Sequence, residues 1–368
     1  MKVFDEISNK DHEQIIYCND KYSGLKAIIA IHNTVLGPAL GGCRMWNYQN
    51  ESEALQDVLK LSRGMTYKAA ISGLNLGGGK AVIIGDSKSM KSESLFRAFG
   101  RFVQSLSGRY ITAEDVGTTV VDMEWIRQET DFVTGIPRAF GGSGDPSPVT
   151  ALGVYHGMRA ALHQVFGTDD FVGRTIAIQG VGHVGFYLIK HLLAAKAKII
   201  ATDIDVEAIK RVKEAYEGVT FVPVNEIYDV NCDIFAPCAL GGAINSNSIP
   251  RLNCKIVAGC ANNVLQYEEA DQNLLAMRNI LYTPDFVISA GGLINVYSEI
   301  NGYNRKYALS QVAGIFDIVK KIFEISSKKG ISSLKAANEI AESRIESIAH
   351  LKRNRQGLNL QKRGRGLL

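Results

Sequence analysis

Two short β-branched runs, Lys26 to Ile31 and Ala81 to Ile84, frame a stretch in which Ala54, Leu55, Val58, Leu59 and Ser62 recur on one helical face. A second stripe at helical spacing, Leu95, Phe96, Phe99, Phe102, Val103 and Leu106, predicts another helix with an aromatic core face. The first third of the chain therefore reads as α+β or α/β. Between Ile136 and Pro148 the sequence IPRAFGGSGDPSP is dense in Gly, Pro and Ser, the composition of a hinge between domains. Beyond it the pattern becomes regular. A helix is expected over Thr150 to Phe166, a strand at Thr175 to Gln179, a helix, and a strand at Lys198 to Thr202. Short apolar runs follow in CDIFAP, KIVAGC and ILYTP. Short buried strands alternating with helices predict a parallel, doubly wound sheet of the Rossmann type. After Gly292 two long amphipathic helices are expected. One carries Leu309, Val312, Ile315, Phe316, Val319, Ile322 and Phe323, and Gly330 ends it.

The pattern thus gives an N-terminal α/β domain over 1–140, a dinucleotide-binding domain over 141–331, a cleft between them, and a closing helix, 332–368, packing back towards the first domain. Two domains suit a chain of 368 residues.

Composition narrows the class. Hydrophobic residues make up 46% and charged residues 21%, as in globular enzymes. A net charge of +4 is too dilute for a nucleic-acid partner, and the basic run from Lys352 to Arg365 lacks interleaved aromatics, so it reads as a solvated tail. Met1 to Lys10 lacks the apolar segment of a secretory signal, and no apolar run approaches the about 18 residues of a membrane span. The cysteines Cys232, Cys238, Cys254 and Cys260 fit neither a CxxC pair nor a zinc pattern and read as small buried hydrophobes. A reducing cytoplasm, with no metal and no membrane partner, is the expectation.

In TIAIQGVGHVG, Gly180, Gly182 and Gly185 form a GxGxxG array directly after an apolar strand and at the start of a helix. Gly180 permits the tight turn, Gly182 lets backbone approach a pyrophosphate, and Gly185 allows helix to pack on sheet. Val181, His183 and Val184 complete the loop, with His183 a loop side chain and no base. Asp203 follows the second strand where an acid accepts the ribose hydroxyls. It would repel a 2′-phosphate, and no Arg immediately follows to receive one, so NAD is expected over NADP.

The stretch GLNLGGGKAV fails as a phosphate loop, because Leu74 stands where glycine is needed and Ala81 where Ser or Thr is needed. Gly77, Gly78 and Gly79 instead read as a backbone approach to a small substrate that presents Lys80 at the start of a strand. Lys68, twelve positions earlier in GMTYKAA, is a second lysine. One amine could grip a carboxylate while its cationic neighbour and desolvation keep the other neutral to act as a base.

Together GPALGGCRMW, GMTYKAA, GLNLGGGKAVIIGD, GRYITAEDVGTT, PSPVTALGV, QGVGHVG and AGCANN resemble the glutamate/leucine/phenylalanine/valine dehydrogenase family, in its leucine-using branch, over nearly the whole chain. The resemblance implies that Lys80 is the base on the hydrolytic water and that Lys68 grips the substrate α-carboxylate, assisted by backbone at Gly41 and Gly42. It also implies that Asp115 carries a proton to and from the departing nitrogen, and that Thr150 and Asn262 lie near the nicotinamide. Met65 joins the substrate-contacting set. Glutamate-using relatives have a lysine at the position of Leu40 and a serine at that of Val296; apolar residues here reverse the preference, since an unpaired buried carboxylate is costly. Ala113 matches the leucine-selective pattern, whereas Leu293 is similar to phenylalanine-selective members. The implied reaction is reversible oxidative deamination of a branched apolar L-amino acid, by a ring-like homo-oligomer of up to eight chains. A valine or phenylalanine dehydrogenase is the alternative within the family. A non-catalytic NAD-binding regulator is disfavoured by the intact Lys68, Lys80 and Asp115. A 2-hydroxy-acid dehydrogenase is disfavoured because the histidines form no acid/base motif.

Overall fold

The computed structural model describes residues 3–364, with side chains through Lys352. The chain forms two compact units, one made of the residues up to Gly144 together with those from Asn338 on, the other of Asp145–Ala337. The sequence pattern places the boundaries at 140/141 and 331/332.

The first unit is built on a mixed sheet of β1 (Gln14–Asp20), β2 (Leu25–Asn33), β3 (Ala39–Leu40), β4 (Cys43–Trp46), β5 (Gly77–Ile84) and β6 (Tyr110–Ile111). Its order is β1-β2-β5-β3-β6, with β4 also on β5. The β1/β2 and β2/β5 pairs are antiparallel, and β3 and β4 run parallel to β5. Both faces of β2 and β5 are covered, which is why their sequences read as continuous β-branched runs. Ile29, Ile31 and Ile83 face Phe96, Phe99 and Val103 of the helix Glu93–Ser105. Ile28, Ala30 and Val82 face Leu55, Val58 and Leu59 of the helix Glu51–Ile71, which Asn50 caps by accepting from the Glu53 amide at 3.0 Å. From the C-terminal helix, Arg344 donates to the carbonyls of Ala70 and Leu74, and Glu342 accepts from the Tyr67 hydroxyl.

The second unit is a parallel sheet of β7 (Thr175–Gln179), β8 (Lys198–Thr202), β9 (Val219–Phe221), β10 (Ile234–Pro237), β11 (Ile256–Val257) and β12 (Leu281–Tyr282), ordered β12-β11-β10-β7-β8-β9. Strand order reverses between β7 and β10, and ligands bind at the carboxyl ends of strands at such a point.

Three details differ from the sequence pattern. The strand expected to start at Lys80 already includes Gly77 to Gly79, the first residues of β5, and a Cβ there would meet the Asn33 carbonyl oxygen at 1.9 Å, the Thr66 amide at 2.1 Å and the Tyr110 ring at 2.8 Å respectively, so chain packing occupies the space beside them. The helix expected through Leu309 to Phe323 is two, Arg305–Ala313 and Ile315–Lys329, joined at Gly314; Gly330 ends the second at a φ of 63°. Cys238 and Cys260 are only half-buried, so burial does not explain them. The basic tail lies, from position 353 on, outside the described side chains.

Candidate active site

In the first unit Lys80 points from β5 into a group of charges with almost no exposure to water. Its Nζ is 2.9 Å from Asp115 Oδ1, with side-chain exposures of 5% and 15%. The other Asp115 oxygen accepts from Arg44 Nε at 3.0 Å; the same guanidinium reaches Asp57 at 2.9 Å, and Asp57 accepts from the Tyr48 hydroxyl at 2.6 Å. Burial drives the Asp115 carboxyl up, but the Lys80 ammonium and the Arg44 guanidinium overcome it and hold the group at about 2. The immediate neighbour of Lys80 is thus an anion, where sequence reasoning looked to the second cation, Lys68.

Glycine makes this convergence possible. A Cβ on Gly41 would lie 1.8 Å from the Gly79 carbonyl oxygen and 3.4 Å from Lys80 Cα, and one on Gly42 would lie 2.3 Å from the Glu114 carbonyl oxygen and 3.0 Å from Asp115 Cβ. The Tyr110 hydroxyl donates to the Gly41 carbonyl at 2.5 Å, and the Thr118 hydroxyl ties the Asp115 turn to the Cys43 carbonyl at 2.9 Å. Leu40 and Ala113 are buried beside this strand junction, and Lys68 is buried on the helix Glu51–Ile71, with Met65 partly exposed one turn before it. Arg44, Asp57, Tyr48 and Tyr110 went unnoticed in the sequence; the one available signal was an arginine inside the otherwise apolar strand CRMW.

In the second unit the carboxyl end of β7 turns at Gly180, whose φ is 99° and whose Cβ would lie 2.7 Å from the Ala239 amide. Gly182 has open space where a Cβ would stand, and it begins the helix His183–Ala194 with no side chain capping its amides. Those bare N–H groups and that space fit a pyrophosphate. A Cβ on Gly185 would meet the Gly180 carbonyl oxygen at 2.3 Å. Val181 is buried, Val184 partly so, and His183 is the exposed first residue of the helix, not of the loop. Asp203 follows β8 and accepts from the Val181 amide at 2.6 Å, next to where Arg211 donates to the Val181 carbonyl at 3.1 Å. Arg211 is a cation at the loop that proximity in sequence did not reveal. Thr150 lies on the helix Ser147–Phe166, its Oγ1 2.5 Å from a Cβ on Gly292, beside the helix Gly291–Tyr297 that carries the buried Leu293 and Val296. Asn262 is exposed, in the loop after β11. Among the described residues no group of three or more His, Cys, Asp or Glu could hold a metal ion, and no helix is long and apolar enough to cross a membrane.

Residues 12–132 match the family described as Glu/Leu/Phe/Val dehydrogenase, dimerisation domain, and residues 141–353 match Glutamate/Leucine/Phenylalanine/Valine dehydrogenase. The chain belongs to the glutamate/leucine/phenylalanine/valine dehydrogenase family. It is 58% identical to the leucine dehydrogenase of Thermoactinomyces intermedius over 95% of this chain and 94% of that one. It is 48% identical to the phenylalanine dehydrogenase of Caldalkalibacillus thermarum over 95% of each chain. The crystal structure of L-tryptophan dehydrogenase from Nostoc punctiforme superposes with a TM-score of 0.77 at 45% identity, covering 94% of this chain and 99% of that one. Membership makes the protein an amino-acid dehydrogenase of a family that generally works with pyridine nucleotides.

Proposed function

We propose that the enzyme catalyses the reversible, NAD-dependent oxidative deamination of leucine, and of isoleucine and valine, to the 2-oxo acid and ammonia. The Lys80–Asp115 ion pair carries this reading, because deamination needs two proton-handling groups in contact at one carbon. Lys68 binds the α-carboxylate, with backbone at Gly41 and Gly42. Asp115 takes a proton from the substrate ammonium, so that the nitrogen lone pair can assist hydride departure from Cα. In its neutral form Lys80 deprotonates the water that adds to the resulting iminium carbon; Asp115 returns a proton to the leaving nitrogen and then takes the carbinolamine hydroxyl proton as the C–N bond breaks. The dinucleotide, held by Gly180 to Gly185, Asp203, Thr150 and Asn262, supplies the hydride acceptor. Asp203 favours a free ribose 2′-hydroxyl, hence NAD over NADP.

Leu40, Met65 and Ala113 in the first unit and Val296 in the second are apolar at the positions the family resemblance assigns to substrate selection, which favours branched aliphatic side chains over a carboxylate. Leu293 and the 48% identical phenylalanine dehydrogenase support the second reading, an aromatic substrate. A pocket methylene discriminates by only about 1–3 kcal/mol, so turnover on both classes is expected, with leucine ahead. The assembly is a homo-oligomer of up to eight chains formed through the first unit, and six reduced cysteines suit the cytoplasm.

NADH formation measured over leucine, isoleucine, valine, phenylalanine and glutamate tests the reading, with Lys80→Ala alongside. No turnover on any of them defeats the function, and full turnover by Lys80→Ala defeats the mechanism.

A further inference from the structure

Strands β10 and β11 are parallel neighbours paired Ile234 to Ile256 and Phe235 to Val257. The same offset joins Asn231 to Asn253 in an isolated bridge and carries Cys232 onto Cys254 at the amino ends; beyond the carboxyl ends the Ala261 amide donates to the Pro237 carbonyl at 3.1 Å, which brings the preceding Cys260 beside Cys238. Neighbouring strands lie about 4.8 Å apart. A disulfide accepts a Cα separation of about 4.4–6.8 Å, so neighbouring segments of this sheet are close enough to be bridged. The Cys260 thiol lies 4.0 Å from the Cys238 carbonyl oxygen and is in contact with the Cys238 thiol. Both residues of this carboxyl-end pair are half-buried, so a small reagent has access.

Its surroundings connect this pair to the glycine loop. The Cys238 amide donates to the Gln179 carbonyl at 2.7 Å, Ala239 packs against Gly180, and the Cys238 Cβ lies 3.9 Å from the Cβ position of Gly185. Cys260 leads into Asn262 and Asn263, the latter at a φ of 52°. Closing two thiols from contact to a bond of about 2.05 Å must draw these loops together.

We propose that Cys238 and Cys260 form a dithiol site that a small-molecule disulfide converts to an intrachain disulfide, and that the oxidised protein binds the dinucleotide more weakly. The second half rests on the dinucleotide reading of the glycine loop. The hydrogen bond from Cys260 lowers the Cys238 thiol against the effect of burial, which makes Cys238 the attacking thiolate. It displaces one small thiolate and forms a mixed disulfide. The Cys260 thiolate then attacks the Cys238 sulfur, the protein S–S bond forms and the second small thiol leaves. The two cysteines lose two electrons to the reagent, and their two protons end on the two released thiols.

The test treats the full-length enzyme with oxidised glutathione, maps disulfides by peptide mass without reduction, and titrates NADH by fluorescence. Cys232 and Cys254 line a cavity of about 540 Å³ at the other end of the strands, so Cys254→Ser is a control whose partner pair the reagent also reaches. Expected are a Cys238–Cys260 linked peptide lacking a pair of hydrogens and NADH affinity at least about tenfold weaker. Dithiothreitol should reverse the loss, Cys254→Ser should retain it and Cys260→Ser should abolish it. Glutathione adducts without the internal bridge overturn the proposal, as does a bridge that leaves NADH affinity unchanged, or a response lost in Cys254→Ser and kept in Cys260→Ser. Failure of the reduced enzyme to bind NADH defeats the dinucleotide reading instead, and the peptide map still decides the dithiol.

Discussion

Arg44 is the residue on which the charge at Asp115 depends, because it neutralises two carboxylates in one place and is itself only 18% exposed. Its planar fork suits that bridge; a lysine keeps the charge but can hold only one carboxylate well. Removing the guanidinium must let burial raise the Asp115 carboxyl from about 2. The ionised form is the working form, so activity would then fail at a higher pH on the acid side. Arg44→Lys should move the acid limb of kcat/KM upward, and Arg44→Met should move it further while lowering stability by about 3–5 kcal/mol, the cost of breaking a buried pair. A pH–rate profile of each variant checks this; an acid limb that stays in place in both would remove Arg44 from the site. Sequence could nominate Lys68 and Lys80, whose glycine-rich and apolar flanks are local. It could not pair Arg44 with Asp57 or Asp115, since that meeting depends on β4 and the turn after β6 converging on β5.

Among the elements, the two glycine clusters solve different problems. Gly42 is required by its own fold, because a Cβ would lie 2.3 Å from a backbone oxygen that cannot move alone. Gly182 has no neighbour within 4 Å and an ordinary φ of −60°, so the fold does not need it. Gly42→Ala should therefore lower the melting temperature, with a loss of about 1–3 kcal/mol for the forced displacement. Gly182→Ala should melt like the parent yet bind NADH at least about tenfold more weakly, a difference of about 1.4 kcal/mol. Calorimetry and NADH titration on both variants separate the cases, and a Gly182→Ala protein with parental affinity would show that nothing approaches that backbone. The GxGxxG helix and its strands were legible because their apolar runs are long and bounded by glycine. Strands β3 and β6, two residues each, carry no periodicity, and the start of β5 was hidden because a strand of three glycines has no side-chain pattern. Their positions are dictated by tertiary contacts that local propensity does not encode.

At the scale of the whole molecule, the switch from mixed to regularly alternating pattern at the Gly- and Pro-rich segment made two units visible, and the closing helix was expected to return to the first; which residues hold it there, such as Arg344 with Ala70, no local pattern specifies. Both units also hold histidines in their interiors, and this couples stability to pH. In the first, His32 bonds Thr66 at 2.7 Å and stacks edge-on against His12, which bonds Ser62 at 2.9 Å. Burial, with the neighbouring His12 and Arg63 charges adding to it, pushes His32 down to about 3, and burial lowers His12 as well. In the second unit burial and Arg159 bring His156 down to about 4. A histidine lowered on folding binds its proton more readily in the unfolded chain. Stability is therefore full above the ordinary value of 6.5 and falls as pH drops below it, continuing until the folded value is reached. Asp115 acts in the same direction but only below about 4, because its window runs from the ordinary carboxylate value of 3.8 down to about 2. Between pH 6.5 and 4.5 the histidines dominate, each contributing up to about 1.4 kcal/mol per pH unit. Chemical denaturation at several pH values in that interval should show unfolding free energy declining with acid, and His32→Asn should decline by up to one proton's slope less than the parent. Parallel lines for the two proteins would mean that His32 is protonated in the native state and that the interior tolerates its charge.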